Sequence, residues 1–456
     1  MKELFVGAGR ALLDPPKDMY PMPTRFCIAD DIYDSCYLRV IAIKSGQEQL
    51  LMLIYELSDY PTVENLTDEI VKASGFPKDS IMITFTHNHT SPCDEANLHF
   101  SGGDESEEIS LKREKFKEIE LEATINAVKQ AVGSMRRAKA GFGTIDSFVN
   151  VNRDYETFGG YWIEAPNHAG FSDKTLSVVK FVDDNDKLIA AFLNHGTHST
   201  CAFLQNDADG KNKTSGNFSG IACKFAEKYY GDDAVIAWAA GAAGNQNPIM
   251  SHGLLYEYED GYATMVPVPD GVGYMQMESV GRTHGADAIK CISSIESYNS
   301  DISIKKISKT VSLPTQKRVA LPGGKKVNVR MGGEGMRDWD KVPYGQAPRV
   351  PDVTNLLEPD PENPKAMQLK LIVLGDVALV FTNGELYSEL GSLIKEVSPA
   401  KNTVVTTYSI EKSTGYILDK TAVGSKVFQA FSSVVPGAAD DILKDAIAEM
   451  FNTIDQ

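Results

Sequence analysis

The sequence predicts an α/β protein of mixed β-sheets flanked by helices. Two observations carry that expectation. Apolar runs of strand length alternate with longer segments whose apolar residues recur at three- and four-residue steps. Gly, Asn and Asp clusters separate them, and no internal repeat or low-complexity tract interrupts the pattern. A third observation bears on function. The apolar runs repeatedly end in a residue suited to metal or acid–base chemistry: His87 and His89, then His195 and His198, then Glu385. In open α/β sheets, ligands sit in the crevice beyond the strand carboxyl ends, so the predicted site is a metal site beyond the strand ends.

The elements follow in order. Residues 5–14 give a short strand and a loop ending at Asp14-Pro15-Pro16. Arg39–Ile43 and Leu50–Tyr55 read as two strands joined by a turn at Ser45-Gly46. Val63, Leu66 and Ile70 form the apolar stripe of a helix that Gly75 ends. Ile81–Phe85 is a buried strand running into Thr86-His87-Asn88-His89-Thr90-Ser91-Pro92. A long helix over about 107–132 carries Phe116, Ile119, Ala123, Ala127 and Ala131 on one face. Leu176–Val182 and Leu188–Leu193 pair through Asp183-Asp184-Asn185-Asp186, and the second ends at Asn194-His195-Gly196-Thr197-His198. A helix near 217–230 leads to the strand Ala234–Trp238 and the small-residue loop Ala239–Pro248; another helix spans about 275–296. Prolines and glycines break all periodicity over 312–366, which reads as an irregular insertion or lid. Gln368–Leu374 and Val377–Phe381 form a hairpin through Gly375-Asp376, running into Thr382-Asn383-Gly384-Glu385 and a helix. A strand from Thr403 to Tyr408 leads to Thr414-Gly415-Tyr416, and an amphipathic helix over about 437–452 closes the chain.

Composition excludes several classes. With 45 Lys plus Arg against 62 Asp plus Glu, the formal charge of −17 repels phosphate backbones and anionic lipid surfaces, so nucleic acid is not the expected partner. No run reaches the length of a membrane span, and no signal peptide is visible at Met1-Lys2-Glu3-Leu4-Phe5-Val6, so no stable membrane anchor is expected. Six scattered cysteines without a C-x-x-C read as reduced thiols and the chain as cytoplasmic.

Only eight histidines occur, and four lie in the two pairs. Two histidines and a carboxylate, with one position left for water, form a ligand set of catalytic zinc sites. The competing reading makes the pairs separate, hydrogen-bonded, buried histidines. His99, His168, His252 and His284 carry no pattern and read as structural or surface residues.

Taken together these segments resemble the neutral/alkaline non-lysosomal ceramidase family of zinc-dependent amidases. Phe5–Ala11 with Pro15-Pro16 is similar to the family's opening motif, and Thr86–Pro92 to its T-H-T-H-S-G-P block. Val151-Asn152-Arg153 resembles N-x-N-R, Asn194-His195-Gly196-Thr197 resembles V-H-G-T, and Ser215-Gly216-Asn217 resembles S-G-D. Asn383-Gly384-Glu385 is similar to P-G-E, Ser413–Ile417 to Y-x-x-Y-V, and Val435–Ala438 to the end of the catalytic domain. The resemblance implies a single catalytic domain over 1–456, without the immunoglobulin-like C-terminal domain of larger members. It implies zinc ligands at His87, His195, Glu385 and Tyr416, with His89 beside the metal and Arg153 contacting substrate. One departure stands out: where the family carries G-D-V-S-P-N with an active-site serine, this chain reads Gly244-Asn245-Gln246-Asn247-Pro248. Asn247 in the serine's place argues against ceramide itself as substrate.

The expectation is therefore a zinc-dependent hydrolase of an N-acyl small molecule. His89 or His198 moves the proton to the leaving amine, and Asn247 and Arg153 stabilise the oxyanion. Asn245 and Gln246 orient substrate or cap the backbone. Pocket lining falls to 93–106, 155–172, 249–275 and 312–366. A zinc hydrolase of another ester or lactone, and a non-catalytic zinc or small-molecule binding protein, remain the alternatives.

Overall fold

Two β-sheets lie face to face with helices on both outer sides, in a computed structural model that describes residues 3–95, 106–160, 162–231, 233–250, 253–259, 263–318 and 357–454. The larger sheet has eight strands in the order Val235–Ala240, Leu188–His195, Thr175–Asp183, Arg136–Asp146, Leu4–Leu12, Tyr37–Ser45, Glu48–Tyr55 and Ile81–Phe85. Its two outermost pairs are parallel and the rest antiparallel. The smaller sheet runs Ile304–Leu313, Lys365–Leu374, Val377–Thr382, Asn402–Thr406. The fold is thus mixed α/β, as the apolar runs predict.

Strand alternation builds the layers. Leu51, Leu53 and Tyr55 join Ile81, Ile83 and Phe85 in the core under the helices Glu107–Gly133, Asn217–Tyr230 and Val272–Ser294. Their neighbours Leu50, Met52, Ile54 and Met82 turn the other way and meet Ile372, Leu374, Leu379, Phe381 and Val404 of the smaller sheet. That sheet's outer residues, Leu369, Leu371, Ala378, Val380 and Val405, pack under the helices Ser388–Val397 and Ala439–Ile454. With both faces buried, a one-residue slip would exchange the two cores, which fixes the register. The helix Glu107–Gly133 approaches so closely that a Cβ on Gly7 would stand 2.1 Å from the Ala131 carbonyl oxygen.

The segment 407–410 joins the layers. Thr407 N–H donates to Ala240 O at 3.0 Å, Ile410 N–H to Ile83 O at 2.9 Å and Ser409 N–H to Thr382 O at 3.0 Å, while Tyr408 O accepts from Phe85 N–H at 3.1 Å. It therefore hydrogen-bonds to both edge strands of the larger sheet and to the smaller sheet. Covering both edges leaves fewer unpaired backbone groups there.

Regular structure extends further than the sequence suggests around 312–366: one strand runs on to Leu313, and Gln316–Arg318 pairs with Leu357–Pro359. Residues 319–356, the centre of the expected lid, lie outside the described residues, as do His99 and His252. Two expected pocket loops carry short strands, Trp162–Asn167 in one and Leu254–Glu257 with Ala263–Val266 in the other. Among the described residues, no helix is long and apolar enough to cross a membrane.

Candidate metal centre

Two loops beyond strand ends and one short strand converge. After Ile81–Phe85 the chain turns sharply, with His87 in the left-handed region at φ 55°. Asn88 holds the turn: its Nδ2 donates to Ser215 O at 2.6 Å, and its Oδ1 accepts from Thr90 N–H at 2.9 Å and Thr90 Oγ1 at 2.8 Å. Asn88 also forms a parallel bridge with Ser199, and His89 N–H donates to Ser199 O at 3.1 Å. That bridge brings His198 beside His87. Glu385 comes from the short strand Gly384–Leu386, which follows Val377–Thr382 directly.

His87, His198 and Glu385 each offer one donor atom, all within 4.8 Å of one another, and all three side chains are buried. Glu385 Oε2 lies 3.8 Å from His87 Nε2 and 3.7 Å from His198 Nε2. His87 Nδ1 is 2.8 Å from Ser58 O and His198 Nδ1 is 3.0 Å from Gln246 O. Carbonyl oxygens only accept, so each Nδ1 carries the hydrogen and each Nε2 turns a lone pair inward. Burial is the main effect on both imidazoles and holds them neutral, His87 well below its ordinary range. Burial alone would raise the Glu385 carboxyl, but it lies well below the usual carboxylate range, because any proton on His87 or His198 and the fixed charge of Arg25 favour the carboxylate. Two imidazole lone pairs and a carboxylate oxygen facing one point repel, and a cation between them removes the repulsion. The donor set therefore fits a metal ion, and nitrogen and oxygen donors of this kind suit several divalent metals.

At two positions the structure brings other residues to the cluster than the expected set. His195 stands apart from the three donors. Ala191 and Leu193 face the helix-side core, and His195, two residues on, points the same way. Its ring centre is 5.0 Å from that of His284, and its Nδ1 donates to Thr175 O at 3.0 Å. Burial drives its pKa down to about 4. His284, a structural residue as expected, accepts from Trp238 Nε1 at 3.0 Å and reaches Ser147 Oγ at 2.8 Å. His168 is exposed. The second difference concerns the phenol. Tyr416 pairs in register with Glu385, but its hydroxyl accepts from Arg153 Nη2 at 3.0 Å, and its ring centre is 6.4 Å from that of His198. The phenol against the donors is Tyr408, which lies 3.0 Å from His198 Nε2 and 3.5 Å from Glu385 Oε2 and stacks on His87 at 4.2 Å and 6°. Tyr408 is also left-handed, at φ 51°. Burial and then Glu385 push its phenol pKa well up.

The remaining expected residues border the centre. His89 lies with its ring centre 4.8 Å from that of His87, edge-on to Phe26 at 5.0 Å and Phe203 at 5.3 Å. Arg153 and Asn247 come from a three-stranded sheet, Trp162–Asn167, Asn150–Glu156 and Gln246–Pro248. Arg153 Nη1 donates to Glu164 Oε1 at 3.2 Å and Asn247 Oδ1 at 3.3 Å, and Nη2 to Gly244 O at 2.7 Å as well as to Tyr416. Asn247 Nδ2 donates to the same Glu164 oxygen at 2.9 Å. Asn245 donates to Glu389 Oε2 at 2.8 Å and accepts from Ser388 N–H, a capping role. Gln246 supplies the carbonyl that orients His198.

Three residues of the site had escaped the sequence reading. Tyr408 had one signal, the polar run Thr406-Thr407-Tyr408-Ser409 at a strand end. Glu164 and Arg25 had none.

No family model and no curated protein matches the sequence. Solved structures do match. The chain is similar to the neutral ceramidase from Pseudomonas aeruginosa, with a TM-score of 0.69 at 15% identity over 100% of this chain and 75% of that one. It is similar also to a ceramidase complexed with C2, with a TM-score of 0.67 at 15% identity over 99% of this chain and 75% of that one. The overall fold is that of these ceramidases.

Proposed function

We propose that this chain, folded as the neutral ceramidases are, is a zinc-dependent hydrolase that cleaves the amide bond of an N-acyl small molecule. The observation that carries the reading is the convergence of His87 Nε2, His198 Nε2 and Glu385 Oε2, with both imidazole tautomers fixed by backbone carbonyls. A divalent ion held there would lower the pKa of a coordinated water toward about 7 and polarise a carbonyl oxygen.

The chain's own residues do the rest. His198 is one of the three donors, which leaves His89 to carry the proton to the leaving amine; imidazole titrates nearest neutrality of all side chains. The Arg153 guanidinium, held by Glu164, Asn247, Gly244 and Tyr416, places a fixed positive charge where the oxyanion develops. Asn247 gives one amide hydrogen to Glu164 and keeps a second for the oxyanion. An amide replaces the family's serine there, so long-chain ceramide is a poor substrate on this reading.

The test is metal content and turnover together. Elemental analysis of protein reconstituted with Zn²⁺ should give about one ion per chain. A panel of N-acyl amides, esters and lactones should show amide hydrolysis that a chelator abolishes. No bound metal after reconstitution would end the reading. Metal without turnover would make the protein a binder, and turnover confined to esters or lactones would move the scissile bond.

A further inference from the structure

Two arginines border the metal centre and are held in different ways. Arg153 is 3% exposed, and its two terminal nitrogens serve four partners. The Arg25 side chain is 18% exposed. Among the described residues, every hydrogen bond of its guanidinium leaves from Nη1: to Asp59 Oδ1 at 2.9 Å and Oδ2 at 2.8 Å, and to Ser58 O at 3.4 Å. The same nitrogen is 3.3 Å from His87 Nδ1, so the guanidinium stands one imidazole away from the centre. Phe26 lies beneath it, with Cζ 5.1 Å from the ring centre, and the same ring sets the edge of His89. Burial works against the charge on Arg25, but Asp59 and then Glu385 hold it, so its field reaches the donor cluster.

We infer that Arg25 is a specificity residue that receives a carboxylate carried by the substrate close to its scissile amide. A guanidinium binds carboxylate best through two parallel N–H bonds, and the Nε–Nη2 edge offers such a fork while Asp59 engages Nη1. Asp59 and Phe26 fix the plane of the group, so little side-chain freedom is lost when the anion arrives. A partner that only held His87 in place would need no second edge. The amide half of the inference rests on the hydrolase reading above; the carboxylate half rests on Arg25 alone.

Two matched pairs of compounds test it on zinc-loaded protein. N-acetylglycine and N-acetylglycinamide differ in a carboxylate on the amine side. N-methylsuccinamic acid and its neutral diamide differ in one on the acyl side. Calorimetry reads binding and product release reads kcat/KM, so a protein that binds without turnover fails the hydrolase reading and not this one. The wild-type protein should favour the acid of at least one pair by roughly 10–100-fold, the range of a charge-assisted hydrogen bond. The favoured pair tells which side carries the anion. Arg25→Gln should weaken the acid roughly 10–100-fold more than its neutral partner, and Arg25→Lys should restore part of the difference. Equal binding of acid and amide in both pairs by the wild-type protein would overturn the inference whatever the variants do. So would an equal loss on acid and amide in Arg25→Gln, which would make Arg25 a buttress for His87.

Discussion

Replacing His195 and His198 one at a time separates a structural histidine from a metal donor. His195→Asn keeps an N–H that can reach Thr175 O but removes the imidazole. Burial holds that imidazole down to about 4, against about 6.5 in an unfolded chain. Each tenfold ratio is worth about 1.4 kcal/mol, so the folded state's preference for the neutral ring is worth about 3 kcal/mol. The pKa is lowered, so the unfolded chain binds the extra proton first. This stability is complete above pH ~6.5 and is lost as the pH falls toward 4. Urea unfolding of metal-free protein at pH 7, 5.5 and 4.5 should therefore show His195→Asn losing about 2.4 kcal/mol less than wild type over that range, the rest being lost only below pH ~4. His87 and His198 are buried neutral in both proteins and cancel in the difference, and His284, held down chiefly by its own burial, stays neutral in both. Metal content gives the second readout. His198→Asn should lose zinc affinity by more than the roughly 10–100-fold expected of an outer-shell change, while His195→Asn should stay within it. If His195→Asn loses zinc and His198→Asn retains it, the donor assignment is wrong. An unchanged acid gap would mean that His195 is not held neutral by burial.

Three further outcomes follow from the same geometry. Tyr408→Phe should reduce zinc affinity, whereas Tyr416→Phe should leave metal content alone and lower kcat by releasing Arg153 Nη2; a common effect in both variants would refute the separation of the two phenols. Zinc at a hundred times its Kd should stabilise wild type by about 2.7 kcal/mol in denaturant melts, and Glu385→Ala should show no such gain at the same concentration. Gly7→Ala places a Cβ 2.1 Å from Ala131 O and 2.7 Å from Met135 N, so it should cost at least about 1–3 kcal/mol by chemical denaturation; wild-type stability would contradict the close approach of strand and helix.

Much of the fold was legible because period-two and period-3.6 patterns report burial directly. Leu50–Tyr55, Ile81–Phe85, Leu188–Leu193 and the hairpin at Gly375-Asp376 all became strands, and the helix predicted over 107–132 spans Glu107–Gly133. The stretch around Arg136–Asp146 escaped because its alternation is diluted by glycine and charge. The cluster was legible at His87 and Glu385, each close to the end of its apolar run. His195 misled because a four-residue motif outweighed the alternation of Ala191 and Leu193, which already turned it toward the helices. Tyr408 escaped because its placement depends on a left-handed residue beyond the strand end, and no periodicity encodes that. Arg25 and Glu164 reach the centre only through tertiary contacts.

The segment 407–410 also has a consequence for synthesis. The two edge strands of the larger sheet, Ile81–Phe85 and Val235–Ala240, are complete long before the segment that bonds to their outer edges is made. At 5–20 residues per second, a ribosome needs roughly 10–30 s to travel from residue 240 past residue 410. Through that interval the nascent chain carries two uncovered strand edges, the kind of surface that chaperones hold and neighbouring chains capture. The residues that end the exposure include Tyr408, so the centre closes in the same step that makes the emerging chain safe from its neighbours.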